Sequence, residues 1–128
     1  MKKILVIDDD PDFVRSMKQL LEANSYEVIS AGSGKEGLAK AETELPELII
    51  IDVMMETWGE GFNVVDRLRE NDKTKNIPRI LLTALGLQSP LEPTSPKMIG
   101  VKAVLQKPVK PDEVLKAVKD ALEEKTTD

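Results

Sequence analysis

Asp52 closes a run of four apolar residues, Leu48-Ile49-Ile50-Ile51, of which three are β-branched. Such a run forms a strand buried on both faces. A carboxylate at its carboxyl end stands where open α/β sheets bind their ligands. Three other segments end in polar groups in the same way. Ile4-Leu5-Val6-Ile7 runs into Asp8-Asp9-Asp10, Ile80-Leu81-Leu82 into Thr83, and Lys102–Gln106 into Lys107. Each alone has an ordinary explanation: an acidic loop, a β-branched strand residue, a surface lysine. Together, at successive strand ends of one sheet, they describe a site. Carboxylates converging on one crevice repel unless a cation joins them. The chain has no histidine and no cysteine, so a histidine base, thiol chemistry, disulfides and the usual zinc ligands are excluded. A metal held here is a hard cation on oxygen, and Mg²⁺, which takes a few carboxylates and keeps several waters, is the expected one. A ligand with negative oxygens completes the set, with one oxygen on the metal, one on Lys107 and one on the Thr83 hydroxyl. A phosphoryl group meets that description.

The elements that position these residues follow from the pattern. After the first strand, Asp10 is placed as an N-cap and Pro11 as the first helical residue. Phe13, Val14, Met17, Leu20 and Leu21 recur at helical spacing, and Asn24 closes the helix. Tyr26–Ala31 is a more polar strand. Ser33-Gly34-Lys35-Glu36 has capping-box spacing and opens a second helix, to about Glu44. A loop, Glu56–Gly61, follows the Asp52 strand, and Val64, Val65 and Leu68 mark the buried side of a third helix ending near Asn71. Ile77–Leu82 and Lys102–Gln106 read as the fourth and fifth strands. The last helix starts at Pro111, with Val114, Leu115, Val118, Ala121 and Leu122 as its apolar face. Alternating strands and helices give a parallel sheet covered on both faces by right-handed crossovers. The polar Tyr26–Ala31 strand and the short fifth strand belong at the edges. The predicted order is 2-1-3-4-5, a flavodoxin-like (βα)5 doubly wound sheet whose ligand crevice lies between strands 1 and 3.

With 128 residues, 41% hydrophobic and 32% charged, the chain suits one domain with one core. Residues 1–124 form that domain in this reading, and 125–128 a polar tail. The net charge of −5 argues against nucleic acid or an anionic membrane as a direct partner. No apolar run approaches a membrane span, and Met1-Lys2-Lys3 leads into a strand rather than a signal peptide, so the expected location is cytoplasmic.

Ile4–Asp10, Leu48–Met55, Leu82-Thr83-Ala84 and Lys107-Pro108, in this order, resemble the receiver domain of two-component response regulators. The resemblance covers essentially the whole chain. It implies that Asp52 is the phosphoacceptor, Asp9 a direct metal ligand, Asp8 a ligand through metal-bound water, and the Met54 carbonyl the third protein ligand. Thr83 and Lys107 are implied to bind the phosphoryl oxygens, and Lys107–Pro108 to be cis. The metal would be Mg²⁺, with Mn²⁺ as a substitute. The implied function is a signalling switch, not an enzyme beyond its own phosphotransfer and dephosphorylation. The phosphoryl group would come from a sensor histidine kinase or phosphotransfer protein, and the output partner is not identified by the sequence.

Three departures from the family pattern stand out. Glu56 replaces a usual proline in a loop that is one residue longer, and Val104 replaces a usual aromatic residue on the fifth strand. The region of the fourth crossover helix, Leu85 to Gly100, contains Pro90, Pro93 and Pro96. Each costs a helix interior about 3 kcal/mol, so that helix is expected to be short or disrupted. Met54 and Leu85, two residues beyond Asp52 and Thr83, are apolar, which predicts slow self-dephosphorylation. Trp58, the only tryptophan, is expected to report on the loop. Two other readings compete with this one. A haloacid-dehalogenase-type phosphatase would use Asp8-x-Asp10, Thr83 and Lys107, but needs a further acidic motif after the lysine, and only the last helix follows. A pseudo-receiver would have lost phosphorylation, against which the complete set of acids, Thr83 and Lys107 argues.

Overall fold

In a computed structural model of the chain, five parallel strands alternate with helices, and residues 1–53, 55, 60–83 and 100–124 are described. The strands are β1 (Lys2–Ile7), β2 (Tyr26–Ala31), β3 (Leu48–Asp52), β4 (Arg79–Thr83) and β5 (Ala103–Gln106). The helices among the described residues are α1 (Pro11–Ala23), α2 (Gly34–Glu44), α3 (Glu60–Glu70) and α4 (Pro111–Glu124). The sheet order is β2-β1-β3-β4-β5, as the sequence predicts. The proline-rich stretch expected to break a helix lies outside the described residues. So do Met54, Trp58, Leu85 and the 125–128 tail.

Pleating divides each central strand between two cores. Leu5, Ile7, Ile49, Ile51 and Leu81 face α2 and α3, meeting Ala41, Val64, Val65 and Leu68. Ile4, Val6, Ile50, Ile80 and Leu82 face the other way, onto Met17 and Leu21 of α1 and Val114, Val118 and Leu122 of α4. Every residue of β3 and β4 is buried, whereas β2 and β5 alternate or mix, as edge strands do. On the outer side of β2, Lys40 Nζ donates to the Ser30 carbonyl at 2.6 Å. That ammonium occupies a backbone acceptor which an edge otherwise leaves open.

The helix ends match the sequence reading with two adjustments. Asp10 caps α1, its Oδ1 accepting from the Asp12 amide at 3.0 Å and the Phe13 amide at 3.4 Å. Asn24 is the C-cap, with Nδ2 donating to the Leu20 carbonyl at 2.9 Å, but the left-handed residue is Ser25, φ 72°. Ser33 Oγ accepts from the Glu36 amide at 3.2 Å, as a capping box requires. The reciprocal bond reaches one residue further back: Glu36 Oε1 accepts from Gly32, at 2.9 Å, rather than from Ser33.

Candidate functional site

The parallel ladder continues past the strand ends and sets the polar residues side by side. The Asp8 amide donates to the Ala31 carbonyl at 3.0 Å, the Val53 amide to Leu82 at 2.9 Å, and the Lys107 amide to Thr83 at 2.7 Å. These bonds extend the sheet to the residues that carry the polar groups, and Asp8, Asp52 and Thr83 are only 2%, 5% and 4% exposed. Asp9 and Asp10, one and two residues beyond, are exposed.

Lys107 leaves an edge strand, yet its stem crosses to the centre of the crevice. Its Nζ donates to Asp8 Oδ2 at 2.8 Å and to Asp52 Oδ2 at 3.1 Å. The ammonium also lies 4.3 Å from the centre of the Phe13 ring, a cation–π contact from the first turn of α1. Burial, the largest single influence, pulls the ammonium's pKa down. The hydrogen bond and charge of Asp8, then those of Asp52, outweigh it and hold Lys107 above its ordinary value. The lysine thus stays charged, bridging two carboxylates that would otherwise repel. The other Asp8 oxygen, Oδ1, accepts from the Asp10 amide at 2.9 Å, which turns the chain from β1 into α1.

Carboxylate oxygens of Asp8, Asp9 and Asp52 all lie within 4.8 Å of one another, close enough to share one cation. All three donors are oxygens, which suits a hard divalent ion and not a thiophilic one. The crevice therefore brings together four of the residues expected from sequence, Asp8, Asp9, Asp52 and Lys107, with Thr83 tied to Lys107 through the backbone. The Met54 carbonyl lies outside the described residues. The Lys107–Pro108 peptide is cis, as the resemblance implies. Sequence reasoning missed Phe13 as a partner of Lys107, and it missed that the lysine would reach Asp8 as well as Asp52. An aromatic residue in the first turn of the helix that starts at the acidic strand end was the available signal.

The model of the response regulator receiver domain matches residues 4–119. The chain belongs to this family. Its receiver fold is shared with the CheY-like receiver domain protein of Methanospirillum hungatei, which is 32% identical, with a TM-score of 0.85 over 98% of this chain and 96% of that one. It is likewise shared with the chemotaxis protein CheY4 of Vibrio cholerae, 32% identical, with a TM-score of 0.84 over 95% and 99% of the two chains. A curated relative is the alkaline phosphatase synthesis transcriptional regulatory protein PhoP of Bacillus subtilis, 37% identical over 129 residues. The match takes in 94% of this receiver but 48% of that protein, so the chain spans about half of its relative's length. Two-component signalling is therefore the setting of this fold, and membership of the family displaces the dehalogenase-type alternative. None of the described helices is long and apolar enough to cross a membrane.

Proposed function

We propose that Asp52 accepts a phosphoryl group from a phosphorylated histidine of a sensor kinase or phosphotransfer protein, and that the resulting aspartyl phosphate is the signalling state. The observation that carries this reading is the Lys107 ammonium within hydrogen-bond distance of both Asp8 and Asp52, beside the exposed Asp9. Asp8, Asp9, Asp52 and the Met54 carbonyl would hold Mg²⁺, with Mn²⁺ as a substitute. Bound there, the metal supplies positive charge against the oxygens of the transferring group.

An Asp52 carboxylate oxygen attacks phosphorus as the bond to the histidine nitrogen breaks, and that nitrogen keeps the electron pair. Thr83 and Lys107 bind the phosphoryl oxygens, so Lys107 exchanges a carboxylate partner for a phosphoryl one. Later, water attacks phosphorus, the bond to Asp52 breaks, and inorganic phosphate leaves. Positioning and charge neutralisation account for most of such a transfer, which suits a site built of carboxylates, a hydroxyl and an ammonium. Residues 1–124 act as one receiver domain, followed by the polar stretch 125–128; the receiver works in the cytoplasm and itself makes no direct nucleic-acid or membrane contact. The output partner is a further protein or domain.

The test is intact mass after incubation with acetyl phosphate and Mg²⁺. Wild type should gain one phosphoryl group, and neither Asp52→Asn nor wild type without divalent ion should do so. A gain that persists in Asp52→Asn would sink the assignment.

A further inference from the structure

Glu60 opens α3, and the residue after it seats that helix on the site. The Gly61 amide donates to the Val53 carbonyl at 3.0 Å. No side chain fits at Gly61, because a Cβ there would run into the Asp52 carbonyl and the Val53 Cα. The start of α3 is therefore in backbone contact with the phosphoacceptor residue.

The Glu60 side chain points the other way. Its Oε2 accepts from the Gly34 amide at 2.9 Å, joining residues 26 apart in sequence. Gly34 is the first residue of α2, and its amide is among those a helix start leaves without an intrahelical acceptor. A carboxylate is favoured there by the helix dipole. Ser33 Oγ serves the Glu36 amide, so α2 draws one cap from its own sequence and another from α3. The approach is close: a Cβ on Gly34 would lie 2.9 Å from Glu60 Oε2 and 2.9 Å from Val64 Cγ2.

We infer that Glu60 is a positioning residue for the phosphoacceptor. By tying the start of α3 to the start of α2, it holds Gly61 against the Asp52–Val53 backbone. Its role runs through the Gly34 amide and the seating of α3. The inference rests on Asp52 being the phosphoacceptor.

The experiment compares wild type, Glu60→Ala, Glu60→Gln and Gly34→Ala. Three measurements are made: the rate of phosphorylation by acetyl phosphate with Mg²⁺, thermal unfolding, and amide exchange at Gly34 and Gly61 without phosphoryl donor. Glu60→Ala should phosphorylate more slowly by roughly fivefold, the size of one lost hydrogen bond read as a rate. It should also exchange faster at both glycine amides. Glu60→Gln keeps an acceptor for the Gly34 amide and should restore both the rate and the protection. Gly34→Ala crowds both the end of Glu60 and Val64 Cγ2, and should reproduce the slowing even if Glu60→Ala unfolds. Wild-type rates in Glu60→Ala or Gly34→Ala would overturn the inference while leaving the phosphoacceptor reading intact. So would a Glu60→Gln variant as slow as Glu60→Ala. No mass gain in wild type would overturn the phosphoacceptor reading, and this inference with it.

Discussion

At Lys107 one ammonium faces two carboxylates, and the Asp8 side chain is wholly buried while that of Lys107 is 23% exposed. Lys107→Ala leaves those acids adjacent with no compensating charge from the strand-5 side. Removing one partner of a buried pair is costly, and the exposure of Lys107 moderates the cost, so a loss of about 1–3 kcal/mol is expected without divalent ion. The same change removes a cation that competes with metal. Added Mg²⁺ should therefore raise the melting temperature of Lys107→Ala by more than it raises that of wild type. Equal shifts in the two proteins would show that the ammonium and the ion do not share these carboxylates. At this scale the residue types were legible in the sequence, because strand ends in a parallel sheet must lie side by side. The pairings were not. Whether Lys107 reaches one carboxylate or two, and whether Phe13 lies under it, depends on how a crossover seats α1, which no local pattern encodes.

Among the elements, a tight constraint falls where α3 meets β3, because the close atoms there are backbone. Gly61→Ala would press a methyl group on backbone atoms of Asp52 and Val53 that cannot rotate away. Overpacking of this kind should cost about 1–3 kcal/mol in denaturant unfolding, and it should slow phosphorylation as well. The start of α2 has its own acid dependence. The Gly32 amide, then the Lys40 ammonium, hold the Glu36 carboxylate below its ordinary value of 4.5. A lowered folded-state value means the contribution is present above 4.5 and is lost as pH falls through the folded value. Stability measured from pH 6 downward should therefore fall in wild type by a small increment that Glu36→Gln lacks. Parallel acid limbs in the two proteins would remove Glu36 from the account. The strands, their order and the edge positions of β2 and β5 were readable from apolar runs and polarity. The reach of Glu36 to Gly32 and of Glu60 to Gly34 was not, since capping-box spacing fixes which side chain is near and not which amide it takes.

For the whole molecule, the central strands belong to both cores at once. Ile50 faces α1 and α4, while Ile51 faces α2 and α3, and both are almost fully buried. Ile50→Ala and Ile51→Ala should each cost about 2–5 kcal/mol and each shift one common unfolding transition. Two separated transitions, seen by circular dichroism and by tryptophan fluorescence, would mean the layers unfold independently. The lysine bridge has a further consequence, in time rather than in energy. Lys107 and Asp8 are joined across 99 residues of chain, the Asp52 contact spanning 55. At a synthesis rate of about 5–20 residues per second, Asp8 leaves the ribosome roughly 5–20 s before the lysine it pairs with. Until then the nascent chain carries Asp8 and Asp52 without the ammonium that bridges them, so this crossing of the fold closes only after the strand preceding Lys107 has been made.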